Sequence, residues 1–151
     1  MNSKQISLLA AFAAAKVEFA VVGGVAVNLH GYLRATNDLD IFIRPTEDNA
    51  CAAFEALAAL GYPLEGYEAA DLLDDEDNLR FGTAEDHIDI LASIGEMTFD
   101  QVWRNRVETE VEGVSIPFIS KDDLIANKRQ VGRLRDLADV EELSLIDSDV
   151  S

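Results

Sequence analysis

A chain of 151 residues, 48% hydrophobic and 27% charged, has ordinary globular composition and the length for one domain around a single core. Its 29 acidic residues against 12 Lys and Arg give a formal net charge of -17, a surface that repels polyanions and argues against a general nucleic-acid binder. The single cysteine, Cys51, excludes an internal disulfide, and its Ala-rich surroundings read it as a small core residue of a cytoplasmic protein.

Lys4 and the apolar run ISLLAAFAAA have some features of a signal peptide. The run is too short to span a membrane, however, and Ile6, Leu9 and Ala13 fall at helical spacing, so it is read as a first helix ending near Lys16. VEFAVV (17–22) reads as a strand stopped by Gly23 and Gly24, and VAVNLHGYL (25–33) as a short helix. His30 is read as a residue that caps or packs this helix. DLDIFIR (38–44) is a second strand, ended by Pro45, and Thr46 caps a helix that Gly61 stops.

Seven acidic residues between Glu65 and Asp77 mark a solvated surface loop with a short helical piece. NLRFGT and HIDILAS predict two strands bracketing a turn at 84–86, and TFDQVWRNR a helix. VETEV and VSIPFIS flank Glu112 and Gly113 as a hairpin, Ser120 with Asp123 opens a helix as a capping box, and Gly132 separates it from a last helix. The domain is placed at 1–146, with a polar tail at 147–151. This order predicts an α/β fold: a mixed sheet with helices mainly on one face. GGVAVNLHG lacks the G-x-G-x-x-G spacing of a dinucleotide site, which sets that reading aside.

Side chains alternate along a strand, so Asp38 and Asp40 share a face while Leu39, Ile41 and Ile43 take the other. The same alternation separates Asp89 from Ile88 and Ile90. If these strands are neighbours, three carboxylates converge, and their repulsion calls for a cation between them. An all-oxygen site of this kind suits Mg²⁺ or Mn²⁺. Gly23 and Gly24 leave room for a phosphate to approach the backbone, and together these features suit phosphoryl or nucleotidyl transfer.

The run VVGGVAVNLHGYLRATNDLDIFI resembles the nucleotidyltransferase pattern of the DNA polymerase β superfamily, in which Gly-Gly precedes Asp-hydrophobic-Asp on the next strand. Within it, the chain is most similar to small nucleotidyltransferases such as the AbiEii-type toxins of toxin–antitoxin pairs. The likeness rests on His30-Gly31, Arg34-x-Thr36, the strand from Ile88 to Leu91, Leu124-Ile125 with Lys128, Gly132-Arg133 and Asp136, spanning residues 17–143. It implies a nucleotidyltransferase fold and transfer of an NMP from an NTP, with Asp38, Asp40 and Asp89 as catalytic metal ligands and Asp89 helping to deprotonate the attacking hydroxyl. It implies that Gly23 and Gly24 hold the triphosphate, and that Arg34, Thr36, Lys128 and Arg133 meet nucleotide or acceptor. The partners implied are an NTP, an acceptor that is RNA, protein or small molecule, and a cognate antitoxin. Two alternatives are a nucleotide-binding regulatory module of the same fold without turnover, and an enzyme like the antibiotic adenylyltransferases. Lys121, Lys128, Arg129, Arg133 and Arg135 form a basic cluster near the C-terminus, and for Lys128 and Arg133 a solvated helix face is the rival reading.

Overall fold

Short apolar runs punctuated by glycine and proline give strands, and longer capped Ala- and Leu-rich runs give helices. A computed structural model describes residues 1–33, 35–36, 38–74, 78–83 and 87–146. Arg34, the turn at 84–86, the end of the acidic run at 75–77 and the tail at 147–151 lie outside them. In chain order the described elements are α1 (Ser3–Ala14), β1 (Phe19–Val22), α2 (Gly23–Leu29), β2 (Leu39–Ile43), α3 (Glu47–Ala59), a 3₁₀ turn (Ala69–Leu73), β3 (Leu79–Gly82), β4 (His87–Leu91), α4 (Phe99–Asn105), β5 (Val107–Val111), β6 (Val114–Phe118), α5 (Lys121–Val131) and α6 (Leu134–Leu145).

The strands form one mixed sheet in the order β3-β4-β2-β1-β6-β5. β2 is antiparallel to β1 and parallel to β4, while β3 is antiparallel to β4. The expected hairpin is β5–β6, joined through Glu112 and Gly113. This is the α/β mixed sheet the sequence predicts.

Core packing fixes which face each strand residue uses. Phe19 pairs with Ile43 and meets Phe12 of α1 edge-on, so the face it shares with Val21, Ile41 and Ile43 meets α1 at Phe12. Phe42, on the other face with Asp40, meets Phe99 of α4 edge-on. The carboxylate face is therefore apolar at one end of β2 and acidic at the other.

Local signals place the ends. Asn2 and Gln5 form a reciprocal capping box at α1, and Thr46, Thr98 and Ser120 cap α3, α4 and α5. The buried stripe of α1 is Gln5, Leu8, Leu9 and Phe12, one residue round from the expected Ile6, Leu9, Ala13 face, because alanine suits either side of a helix. Cys51 is exposed, which corrects the reading of it as core: α3 turns Asn49, Ala50, Ala53, Ala56 and Leu57 inward. Asn49 accepts from the Glu18 amide (2.8 Å) and donates to the Glu18 and Arg44 carbonyls (2.9 and 3.0 Å), tying α3 to the outer ends of β1 and β2. Among the described residues, no helix is long and apolar enough to cross a membrane.

Candidate active site

The register of β2 on β4 sets Asp40 directly beside Asp89, and β3 on β4 sets Arg80 on Asp89 from the other side. Asp38 lies just before β2 and shares the face of Asp40. The three carboxylates line a cleft of about 520 Å³ with Gly23, Gly24 and Thr36 at one side. Arg80 of β3, His87 of β4 and Asn78 just before β3 line it, as do Lys128 of α5, Arg133 at the N-cap of α6, and Arg135 and Asp136 of α6.

Gly23 is required by both backbone and space. Its φ of +68° lies in the left-handed region, and a Cβ there would stand 2.9 Å from Asp40 Cγ and closer still to Oδ2. Gly23 thus lies against the Asp40 carboxylate, which the linear sequence cannot show.

Charge in the site is unbalanced at Asp40. Burial, then the charges of Asp89 and Asp38, then a hydrogen bond with Asp89 push its carboxyl from 3.8 up to about 6, with His87 opposing. His87 Nδ1 lies 3.1 Å from Asp38 Oδ1 and Nε2 lies 3.4 Å from Asp89 Oδ2, so the buried imidazole sits between two of the acids. Arg80 grips Asp89 with both arms: Nε donates to Oδ1 at 2.7 Å and Nη2 to Oδ2 at 3.0 Å.

Among the described residues, no three acidic or imidazole groups stand together as a formed metal cage. The donor chemistry nevertheless fits a hard divalent cation: all-oxygen ligands on adjacent strands, where burial and then the neighbouring carboxylate charges raise Asp40. Asp38, Asp40 and Asp89 would hold such an ion.

The other expected residues divide. Thr36 lines the cleft, its hydroxyl 3.4 Å from the Asp38 carbonyl it donates to. Arg133 is largely exposed and anchored through Nε to Asp136 at 2.7 Å. Lys128 does not present a free ammonium. It is buried, with Nζ 3.2 Å from Asp136 and 2.9 Å from Asp139, and so joins α5 to α6. Burial alone would raise the Asp136 carboxyl, but hydrogen bonds and charge from Arg133 and Lys128 hold it below its ordinary value. His30 Nε2 lies 2.8 Å from the Ile119 carbonyl and packs its helix, as expected of it. Arg34 lies outside the described residues.

Arg80 and His87 are the site residues the sequence reading misses. The signal was present: in LRF, Arg80 alternates with Leu79 and Phe81, and His87 is two residues before Asp89 on one strand, so both belong on the carboxylate face.

A family model described as "Nucleotidyltransferase of unknown function (DUF6036)" matches residues 3–149. The chain belongs to this nucleotidyltransferase family. No curated protein matches it in sequence. Among solved structures it is similar to the lincosamide antibiotic adenylyltransferase LnuA with lincomycin bound, at 19% identity and a TM-score of 0.64, covering 97% of this chain and 98% of that one. It is similar to ANT(2″)-Ia in complex with adenylyl-2″-tobramycin at 13% identity and a TM-score of 0.58, covering 98% and 91%. An antigenic nucleotidyltransferase-like protein from Paracoccidioides brasiliensis aligns at 12% identity and a TM-score of 0.54, covering 95% and 77%. At these identities the neighbours share the fold of the family, and the chain is a transferase of that class.

Proposed function

We propose that the chain moves an NMP from an NTP to the hydroxyl of an acceptor, releasing pyrophosphate, with Asp38, Asp40 and Asp89 as ligands for Mg²⁺ or Mn²⁺. The observation that carries this reading is the strand register that sets Asp40 beside Asp89 with Gly23 against the Asp40 carboxylate. When bound, the ion would neutralise charge at the reacting phosphate and make the attacking hydroxyl more acidic. The protein groups do the rest: Gly23 and Gly24 leave room for the triphosphate, Thr36 and Arg133 line its side of the cleft, and Asp89 takes the hydroxyl proton.

A small-molecule hydroxyl is the acceptor class best supported. The net charge of -17 disfavours RNA, and two structural neighbours are antibiotic-modifying or antibiotic-bound proteins by name. Those neighbours favour this reading over the toxin–antitoxin setting and its antitoxin partner. That Asp38, Asp40 and Asp89 all line one cleft speaks against a regulatory module without turnover. The test is pyrophosphate release from each of the four NTPs with Mg²⁺, with Mn²⁺ and with chelator, against panels of hydroxyl-bearing antibiotics, RNA and protein extract. Metal-dependent release with label on a small molecule is expected. No metal-dependent release with any NTP or acceptor overturns the reading.

A further inference from the structure

Arg80 makes a well-formed charged contact in the cleft, yet neither the motif nor the proposed transfer uses it. Its fork grips both oxygens of Asp89 from the neighbouring strand. The Arg80 side chain is 59% exposed, whereas that of Asp89 is 10% exposed, so the guanidinium covers the open side of the carboxylate. An ion pair with one partner so exposed adds little to fold stability, on the order of 0–1 kcal/mol, so packing does not demand it. His87 stands 3.4 Å from the Oδ2 that Arg80 also bonds. Both oxygens of the third carboxylate are therefore engaged by protein cations or donors before any ligand arrives.

We propose that Arg80 is a resident counter-ion on Asp89 that competes with a divalent cation for the third carboxylate, so that the full metal site assembles only when a triphosphate draws the guanidinium away. The inference rests on the nucleotidyl-transfer reading. A cation entering the cleft without nucleotide finds two carboxylates, Asp38 and Asp40; the third is taken by a positive charge that also repels the newcomer. A planar guanidinium fork matches phosphate oxygens as well as it matches a carboxylate, and Arg80 lines the same cleft as the glycines. Arg80 is in this sense a positioning residue: it acts through Asp89.

The test is Mn²⁺ binding, read by electron paramagnetic resonance, to the full chain without nucleotide and with a non-hydrolysable NTP. Wild type, Arg80→Gln, Arg80→Lys and Asp40→Asn are compared, each with a thermal melt to verify folding. Arg80→Gln should bind Mn²⁺ roughly tenfold more tightly than wild type without nucleotide, about 1.4 kcal/mol. Arg80→Lys, which keeps the charge but loses the fork, should fall between them. With the NTP analogue the gap between wild type and Arg80→Gln should close. Equal or weaker Mn²⁺ binding by nucleotide-free Arg80→Gln overturns the inference while leaving the transfer reading intact. No Mn²⁺ binding by any variant, with or without the analogue, overturns the transfer reading and this inference with it.

Discussion

Asp40 and Asp89 are direct neighbours on the parallel strands β2 and β4, so two acidic side chains stand side by side on one face of the sheet. Burial, with the charges of Asp89 and Asp38 beside it, is why Asp40 keeps its proton up to about pH 6. The Asp40 end of β2 is thus a point of tension on a strand whose remaining positions are apolar and buried.

Removing the Asp40 charge should stabilise the ligand-free protein, and the gain should depend on pH. The folded-state carboxyl holds its proton to about pH 6 against 3.8 for the ordinary group. Stability from this group is therefore lost as pH rises from about 4 to about 6, by on the order of 2–3 kcal/mol, and stays lost above that. Asp40→Asn should melt higher than wild type at pH 8 and at nearly the same temperature at pH 4. The same variant should lose the stabilisation that Mg²⁺ plus NTP gives wild type, roughly 2–3 kcal/mol at a hundredfold excess over Kd. A larger gain in melting temperature over wild type at pH 4 than at pH 8 would reverse the assignment.

Gly23 should tolerate no side chain. Gly23→Ala forces an L-residue to φ +68° and drives its methyl into the Asp40 carboxylate. The variant should lose at least about 1–2 kcal/mol by denaturant titration from the backbone alone. Because the displaced group is Asp40, its Mg²⁺–NTP shift should also vanish. Gly61→Ala is the control: its φ is +83°, but no atom stands within 4 Å, so it should lose stability without losing the shift.

Much of this site is legible in the sequence because it depends on local geometry. Alternation along β2 puts Asp38 and Asp40 on one face whatever the rest of the chain does, and the glycines announce the turn before α2. What the sequence hides is pairing. Arg80 and Asp89 meet through the register of β3 on β4, and Lys128 meets Asp136 and Asp139 only because Gly132, at φ +74°, folds α6 back on α5. A lysine and an arginine near a phosphate site read alike in one dimension; burial separates the structural Lys128 from the exposed Arg133. Cys51 escaped for the opposite reason, since in an Ala-rich helix no strong periodicity marks the inner face.

That division between Lys128 and Arg133 is measurable. Lys128→Met leaves the buried carboxylates of Asp136 and Asp139 without their shared cation, and should cost about 3–5 kcal/mol of stability. Arg133→Ala removes a mostly exposed side chain and should change the melting temperature little, while raising the apparent KM for NTP several-fold if it meets the triphosphate. Equal, small stability losses in both would mean that the Lys128 pair is not what holds α5 to α6.

Asp89 separates binding from chemistry. Asp89→Asn keeps the shape of the side chain and a hydrogen-bonding oxygen, and leaves Asp38 and Asp40 to hold a cation with the nucleotide. The Mg²⁺–NTP thermal shift should therefore survive, weakened by the loss of one charged ligand. Turnover should not survive. An amide cannot take the proton of the attacking hydroxyl, and it aligns a divalent cation poorly, so kcat should fall by on the order of a hundredfold or more with KM for NTP changed far less. The same substitution releases Arg80 from its carboxylate partner, so the guanidinium becomes free to meet the triphosphate and should limit the loss of nucleotide affinity. The measurement is a pair of curves, thermal shift against NTP concentration and pyrophosphate release against the same axis, on wild type and Asp89→Asn. If both curves collapse together, Asp89 is needed to bind the nucleotide and its role as proton acceptor loses its support; if both persist, it belongs to neither step.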